Sequence, residues 1–433
     1  MKHLGIAVLL MVFYMLPDRS WSEDNYTFDL DEIEKKPYQV AGYVEARPVL
    51  YGLDDDAALY RLRFYDDPQG HTRWQINGRV RLEGSYEKSI YRMFARLNTD
   101  LAYDDAGGEE RTTVYEAYLS AKAATSVKID AGKKTLKWGK GYAWNPVAFM
   151  DRPKDPEDPE LAMEGYVMAT ADWIRSFDGP LTTVAFTPVL FPVYDHVNDD
   201  FGETEKINWA GRLYFLLYDT DLDVMFMTGG SRPDRYGVDF SRNLTTNFEI
   251  HGEYAWLPNT RKLVLDAGGT PRRTREDAHA FLVGLRYLTG FDLTTIVEFY
   301  HNGAGFDREE MKAFYDLVDR GYASYQDTGN ASGLAQALQL AGSGYARPSA
   351  MRNYLYVRMS QKEPFDILYL TPALTCIINT DDGSLSLTPE LFYTGITNLE
   401  LRLRASLIAG DGRSEFGEKQ NDYRFEVRAG YYF

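Results

Sequence analysis

Arginine and carboxylate side chains return at every second position in several stretches of this chain, and that spacing decides which chemistry is open to it. Arg79, Arg81 and Glu83 alternate with Val80 and Leu82. Glu400, Arg402 and Arg404 alternate with Leu401 and Leu403, and Arg424, Glu426 and Arg428 alternate with Phe425 and Val427. An extended chain points successive side chains to opposite faces, so each stretch has a charged face backed by an apolar one. A guanidinium grips carboxylates with two parallel hydrogen bonds, so an arginine-lined face binds or orders anions. Catalysis has weaker material to work with. His71, His196, His251, His279 and His301 fall at no metal-ligand spacing, and none stands at a fixed interval from a nucleophile. No catalytic residue, metal or other cofactor is expected.

The composition places these faces near lipid. The chain holds 32 Tyr, 23 Phe and 7 Trp, yet its mean hydropathy is −0.40. Tyrosine on that scale suits a membrane interface, where a ring with an apolar body and a wet tip is at home. Average hydropathy misses a membrane barrel because its lipid-facing and lumen-facing side chains alternate. The net charge of −17 excludes a nucleic-acid-binding surface, and an acidic exterior suits lipopolysaccharide bridged by divalent cations. Cys376 is alone, which excludes an internal disulfide and leaves it a packed side chain. Met1-Lys2-His3, the apolar run 4–16 and Ser20-Trp21-Ser22 have the order of a cleaved secretory signal over 1–22, with a periplasmic tail over 23–38. The apolar run is shorter than the roughly 20 residues of a spanning helix.

Strands must hold the charged faces. Read back from Phe433, the connections alternate in length. The segments 410–420, 302–350, 231–244, 192–205 and 138–163 are long, and 267–277 is of medium length. Those at 394–398, 362–364, 289–290, 258–259, 219–220, 178–180 and 123–125 are short, and only the tight turn 380–383 breaks the parity. Outer-membrane barrels have short periplasmic turns and long extracellular loops. The expectation is an all-β protein: over 39–433, a single transmembrane antiparallel up-and-down β-barrel of about 18 strands (16 to 18). It lies in the outer membrane of a Gram-negative cell. The first strand is either 57–65 or 39–51, with 57–65 then folded otherwise.

Closure places the last two strands beside the first three. Arg61, Arg63, Arg79, Arg81, Arg92, Arg96, Arg402, Arg404, Arg424 and Arg428 then form a basic pore-lining wall. Glu249, Glu253, Asp266, Glu298 and Glu390 form an acidic wall across from it. Such a transverse field orders solutes in a pore and favours anions near the arginines. The alternative is a set of ion-paired ladders that stiffen the barrel. Two loops, 138–162 and 302–350, are candidates to narrow the pore. The first contains Lys137-Trp138-Gly139-Lys140-Gly141, which has part of the look of a phosphate-binding glycine loop without its closing Lys-Ser or Lys-Thr pair. The second has helix-like stretches at 307–320 and 331–340.

The alternation, the aromatic content and the closing Tyr431-Tyr432-Phe433 resemble a Gram-negative outer-membrane channel. Size, strand number and arginine content are similar to those of the 18-stranded alginate-export channels and substrate-selective porins. That resemblance implies a porin-like channel for small hydrophilic solutes, anionic ones such as sugar acids or organic acids included. It also implies that Phe433 is a signal to the barrel-assembly machinery. Two other functions stay open: a structural sheath around a partner complex, and an outer-membrane hydrolase.

Overall fold

The computed structural model describes residues 36–104, 107–266 and 269–433; the expected signal segment 1–22 and nearly all of the tail 23–38 lie outside the described residues. The strands run, in order, β1 (Tyr38–Leu53), β2 (Thr72–Lys88), β3 (Tyr91–Asp104), β4 (Gly107–Ala124), β5 (Val127–Lys134) and β6 (Tyr166–Ser176). They continue with β7 (Leu181–Val193), β8 (Lys206–Leu217), β9 (Thr220–Thr228), β10 (Arg235–Thr245), β11 (Phe248–Leu265) and β12 (Pro271–Leu288). The last are β13 (Leu293–Asn302), β14 (Asn353–Gln361), β15 (Leu370–Asn379), β16 (Leu385–Ile396), β17 (Leu399–Ala409) and β18 (Asn421–Tyr432). Each pairs antiparallel with its sequence neighbours. Because β18 also pairs with β1, the 18-stranded sheet closes and leaves no edge.

Period two decides which way each side chain points. Leu403, Leu407, Phe425 and Val427 face outward and are 44–49% exposed, whereas Arg404, Glu426 and Arg428 face inward and are 5–7% exposed. The outer band continues through Trp74, Ile76, Trp209, Val224, Val238, Trp256, Val283 and Leu391. Apolar surface left in water costs about 25 cal/mol per Å². A continuous belt of it is stable against lipid.

One end of the barrel has compact turns, and the other carries the long connections. The long-connection end is covered by α1 (Ala58–Phe64), α2 (Arg308–Thr328) and α3 (Ser332–Leu340). At the start of α2, Asp307 accepts from the Glu310 N–H while Glu310 accepts from the Asp307 N–H, both at 2.9 Å. At its end Gly329, with φ of 73°, donates its N–H to the Tyr325 carbonyl. These helices pack with Trp144 onto the inward faces of β11 to β15, through Leu265, Leu282, Ile296, Tyr354, Tyr356 and Ile377. A second apolar cluster fills another part of the interior. Trp138, Val147, Phe149 and Met150 of the connection 135–165 pack there against Tyr166, Val189, Phe191, Met225 and Met227.

Three expectations about the strands need correction. Residues 58–64 are helical, with Ala58, Tyr60, Leu62 and Phe64 on its buried face, so the first strand is the alternative reading. The β1–β18 register passes over Arg47 and Pro48, as a residue without an N–H requires. Pro258-Asn259 is a bulge inside β11: the register slips between Leu257 and Thr260, and Asn259 has φ of 55°. Finally, 231–244 is mostly β10. Its Tyr236 and Val238 face outward, but Arg235, Asp239, Arg242 and Asn243 mask the pattern. One strand split in two and one strand missed leave the count unchanged.

The closing seam yields a test. Gly42 and Phe433 exchange backbone hydrogen bonds of 2.8 and 3.0 Å, and a Cβ on Gly42 would lie 2.0 Å from the Phe433 ring. Gly42→Val should displace that ring and cost roughly 1–3 kcal/mol. The readout is a lower unfolding temperature of the heat-modifiable barrel, and an unchanged one would remove the seam's dependence on this contact.

Candidate functional site

Both walls of the barrel place like charges opposite each other. On one, Asp223 of β9 is in register with Asp239 of β10, and Asp239 with Glu253 of β11; all three are 2–4% exposed. On the other, Arg402 of β17 is opposite Arg428 of β18. Facing like charges destabilise a ladder. The connection 135–165 brings the opposite charge to each wall. Lys140 Nζ lies 2.9 Å from Asp223 and 3.9 Å from Asp239. Asp158 lies 3.0 Å from Arg428, 3.6 Å from Arg402 and 3.8 Å from Arg404, and Glu157 lies 3.0 Å from Arg424.

Backbone amides complete the docking. Glu253 accepts the N–H groups of Lys140 and Gly141 at 2.6 Å each, that of Val147 at 3.3 Å, and the Asn145 side-chain amide at 2.9 Å. Glu298 of β13 accepts from the Tyr142 N–H and, at 2.8 Å, from the Ala143 N–H. Glycine is what lets the chain come this close. A Cβ on Gly141 would meet the Trp144 carbonyl oxygen at 2.0 Å, and one on Gly139, where φ is 95°, would meet Glu253 at 2.7 Å. The glycine-rich stretch is thus an anion loop, closed around the barrel's own carboxylates. The connection 135–165 crosses the lumen as a strap, while 303–352 lies over the mouth.

The structure separates the residues singled out above. Arg79, Arg81, Arg92, Arg96, Arg402, Arg404, Arg424 and Arg428 sit on strands of one contiguous wall. Arg79 pairs with Asp100 at 2.5 Å, and Arg96 with Glu83 and Glu116 at 2.8 and 2.7 Å. Arg81 donates to Asn98 at 3.2 Å, and the Arg92 guanidinium lies 5.9 Å from the Phe94 ring centre. Arg61 and Arg63 are not on the wall. They belong to α1 at the mouth, where Arg61 pairs with Asp319 at 2.8 Å and Arg63 donates to Gln420. Glu390 is not across the lumen either. It stands on β16 among the arginines, 2.8 Å from Arg404, 3.3 Å from Arg358 and 3.7 Å from Arg402. Asp266 lies beyond the end of β11 and accepts the Thr270 N–H. Glu249 lines β11 below His251, 3.7 Å from its ring. Sequence reasoning passed over Asp158, Asp223, Asp239 and Arg358, and gave Lys140 a place in the glycine-rich stretch but no partner. Their signal is the pairing of a charged strap with walls of opposite sign, which shows only once the strap's path is known.

Between the strap and the mouth lies a cavity of about 1050 Å³. Its lining includes Trp144, Lys154, Glu160, Arg232, Arg235, Tyr300 and Arg347.

A closed antiparallel barrel with an apolar exterior, a charged interior and an infolded strap is a porin-type transmembrane barrel. A solved structure agrees on the fold. Acinetobacter baumannii OccAB1 is similar at 9% identity and a TM-score of 0.51, over 92% of this chain and 96% of that one. A triple mutant of the Rhodopseudomonas blastica porin is similar at 11% identity and a TM-score of 0.44, over 92% of this chain and 100% of that one. No family model and no curated protein matches the sequence.

Two outcomes test the strap. Glu253→Ala strands several buried donors at about 1–3 kcal/mol each. It should lower the unfolding temperature by several degrees, and Glu253→Gln, which keeps an acceptor, should lower it less; equal effects would show that the amides do not rely on this carboxylate. Asp158 gives the pH dependence. Burial alone would push its carboxyl up, but Arg404, Arg428 and Arg402 outweigh it and hold the carboxyl below its ordinary value. A depressed folded pKa adds stability above the unfolded value of about 3.9, and that stability is lost as pH falls through the folded value. Docking at this end should therefore persist from neutral pH to about 4 and fail below it. Asp158→Asn should weaken it already at neutral pH, with single-channel conductance as the measurement.

Proposed function

We propose that the protein is an outer-membrane channel for hydrophilic solutes, anionic ones such as organic acids or sugar acids among them, with its aperture set by the strap 135–165. The observation that carries this reading is the strap itself, held across the lumen at both walls by Lys140, Glu253 and Glu298 on one side and Asp158 on the other. A connection that crosses the lumen narrows the barrel, and the width left beside it sets which solutes pass. The parity of the connections supports compact turns on the periplasmic side and the helix-covered mouth outside. Paired arginines on the wall stiffen the lumen more than they charge it, since each of Arg79, Arg96, Arg402, Arg404, Arg424 and Arg428 has a carboxylate partner. The interior contents argue against a sheath around a partner, because the strap and the mouth helices already occupy it. No reaction is assigned to the barrel.

Planar-bilayer recording tests the reading. The purified protein should conduct, and Glu253→Ala with Asp158→Asn, by releasing both ends of the strap, should raise single-channel conductance at least about twofold. A folded protein that does not conduct, or a double variant with unchanged conductance, overturns the strap as the aperture. Topology is checked on intact cells in a Cys376→Ser background. A cysteine at Ser332 should be labelled directly, one at Gly290 only after permeabilisation, and surface labelling at Gly290 would invert the assigned sides.

A further inference from the structure

Compensated charge on the wall directs attention to charge that is not compensated. Of the cations lining the cavity above the strap, Arg96, Lys140 and Arg152 are ion-paired. Lys137, Lys154, Arg232, Arg235 and Arg347 form no ion pair among the described residues. Lys154 donates to the carbonyls of Gly141 and Tyr142, at 2.8 and 3.1 Å. Arg232 donates to the carbonyl of Phe201 and lies 4.0 Å from that ring's centre. Arg235 and Arg347 make no side-chain hydrogen bond among the described residues.

The carboxylates of the same lining are already engaged. Asp151 accepts the N–H groups of Leu136 and Trp138 at 2.8 and 3.1 Å, and Glu160 accepts the Tyr142 hydroxyl at 3.0 Å. Five positive groups without an ion pair thus line one cavity inside a chain whose net charge is −17. Such a chain repels anions at a distance, so any anion it collects must be held by a local field. A cleft with low-dielectric walls concentrates that field, and the attraction grows with the charge on the solute. Guanidinium forks match oxyanion geometry, which a halide cannot exploit.

We propose that this cavity is a binding site for a small multivalent oxyanion, a phosphate or a polycarboxylate, with Arg232, Arg235 and Arg347 as its principal donors. The proposal rests on the channel reading and deepens it: solute is collected above the strap before it passes. Arg235 stands at the mouth end of β10, Arg232 just before it, and Arg347 in the segment over the mouth, so the site joins that segment to the barrel.

The test is calorimetric titration of the full chain in detergent with inorganic phosphate, citrate and, as a monovalent control, gluconate, all at one ionic strength. Binding of phosphate, of citrate or of both is expected, with gluconate at least about tenfold weaker. Which of the two divalent-or-higher probes binds identifies the source. Arg235→Gln/Arg347→Gln should weaken the binding at least about tenfold, on the scale of one charge-assisted pair lost. If that variant fails to fold, Arg347→Gln alone, in the mouth segment, reads the same shift. No binding of either multivalent probe, gluconate binding as tightly, or an unaltered affinity in the folded variant overturns the proposal. Potassium chloride conductance of the same preparation keeps the two readings apart. Conduction without oxyanion binding removes the site and spares the channel, and binding without conduction removes the channel and spares the site.

Discussion

Two rows of like charge, Asp223, Asp239 and Glu253 on one wall and Arg402 facing Arg428 on the other, could not stand in a bare barrel without loss. The strap resolves both at once. It brings an ammonium group and a set of backbone N–H donors to the acidic row, and a carboxylate pair to the arginines. Each wall is the counter-charge the strap needs, and the strap is the counter-charge each wall needs. The path of the strap, the filling of the lumen and the position of the cavity follow from that exchange. Gly139 and Gly141 are the steric condition for it, since a side chain at either would hold the backbone away from Glu253 or Trp144.

Neutralisation has a consequence for how charge is distributed between wall and mouth. Strand residues pair with the strap, with a cross-strand neighbour, as in Arg404 with Glu390, or along their own strand, as in Arg428 with Glu426. Arg232, Arg235 and Arg347, at or beyond the strand ends, have no such neighbour. A barrel wall is a lattice in which every inward residue has neighbours at fixed spacing, so acids and bases readily meet there. A loop offers no such lattice.

Much of the fold was legible because period two is a local property. Leu401 to Leu407 and Phe425 to Tyr431 alternate over enough residues to set both the strand and its inward face. Failures came where a local signal was ambiguous. In 57–65, Tyr60, Leu62 and Phe64 alternate with Arg61 and Arg63 over a span too short to distinguish a strand from a two-turn helix, and packing against α2 decides for helix. Pro258-Asn259 has turn chemistry, yet a bulge uses the same residues. The wall arginines were legible as inward, but their partners were less so. Glu390 was assigned across the lumen, although β16 is the neighbour of β17. Asp158 could not be assigned at all, because its nearest partner, Arg428, lies 270 residues along the chain.

That separation bears on how the molecule is put together. The strap lies between β5 and β6, but it docks on Glu253, 113 residues from Lys140, and on Arg428, 270 residues from Asp158. Its apolar side chains, Trp138, Phe149 and Met150, are packed inside a wall whose ends meet only when β18 joins β1. Threading such a segment into a finished cylinder would mean passing it beneath the mouth helices with its polar backbone stripped of water. A strap gathered in while the sheet is still open, before Gly42 and Phe433 pair, would be spared that passage. Contacts this distant in sequence raise the entropic cost of bringing the ends of the sheet together, and the strap's contacts with both walls offset part of it.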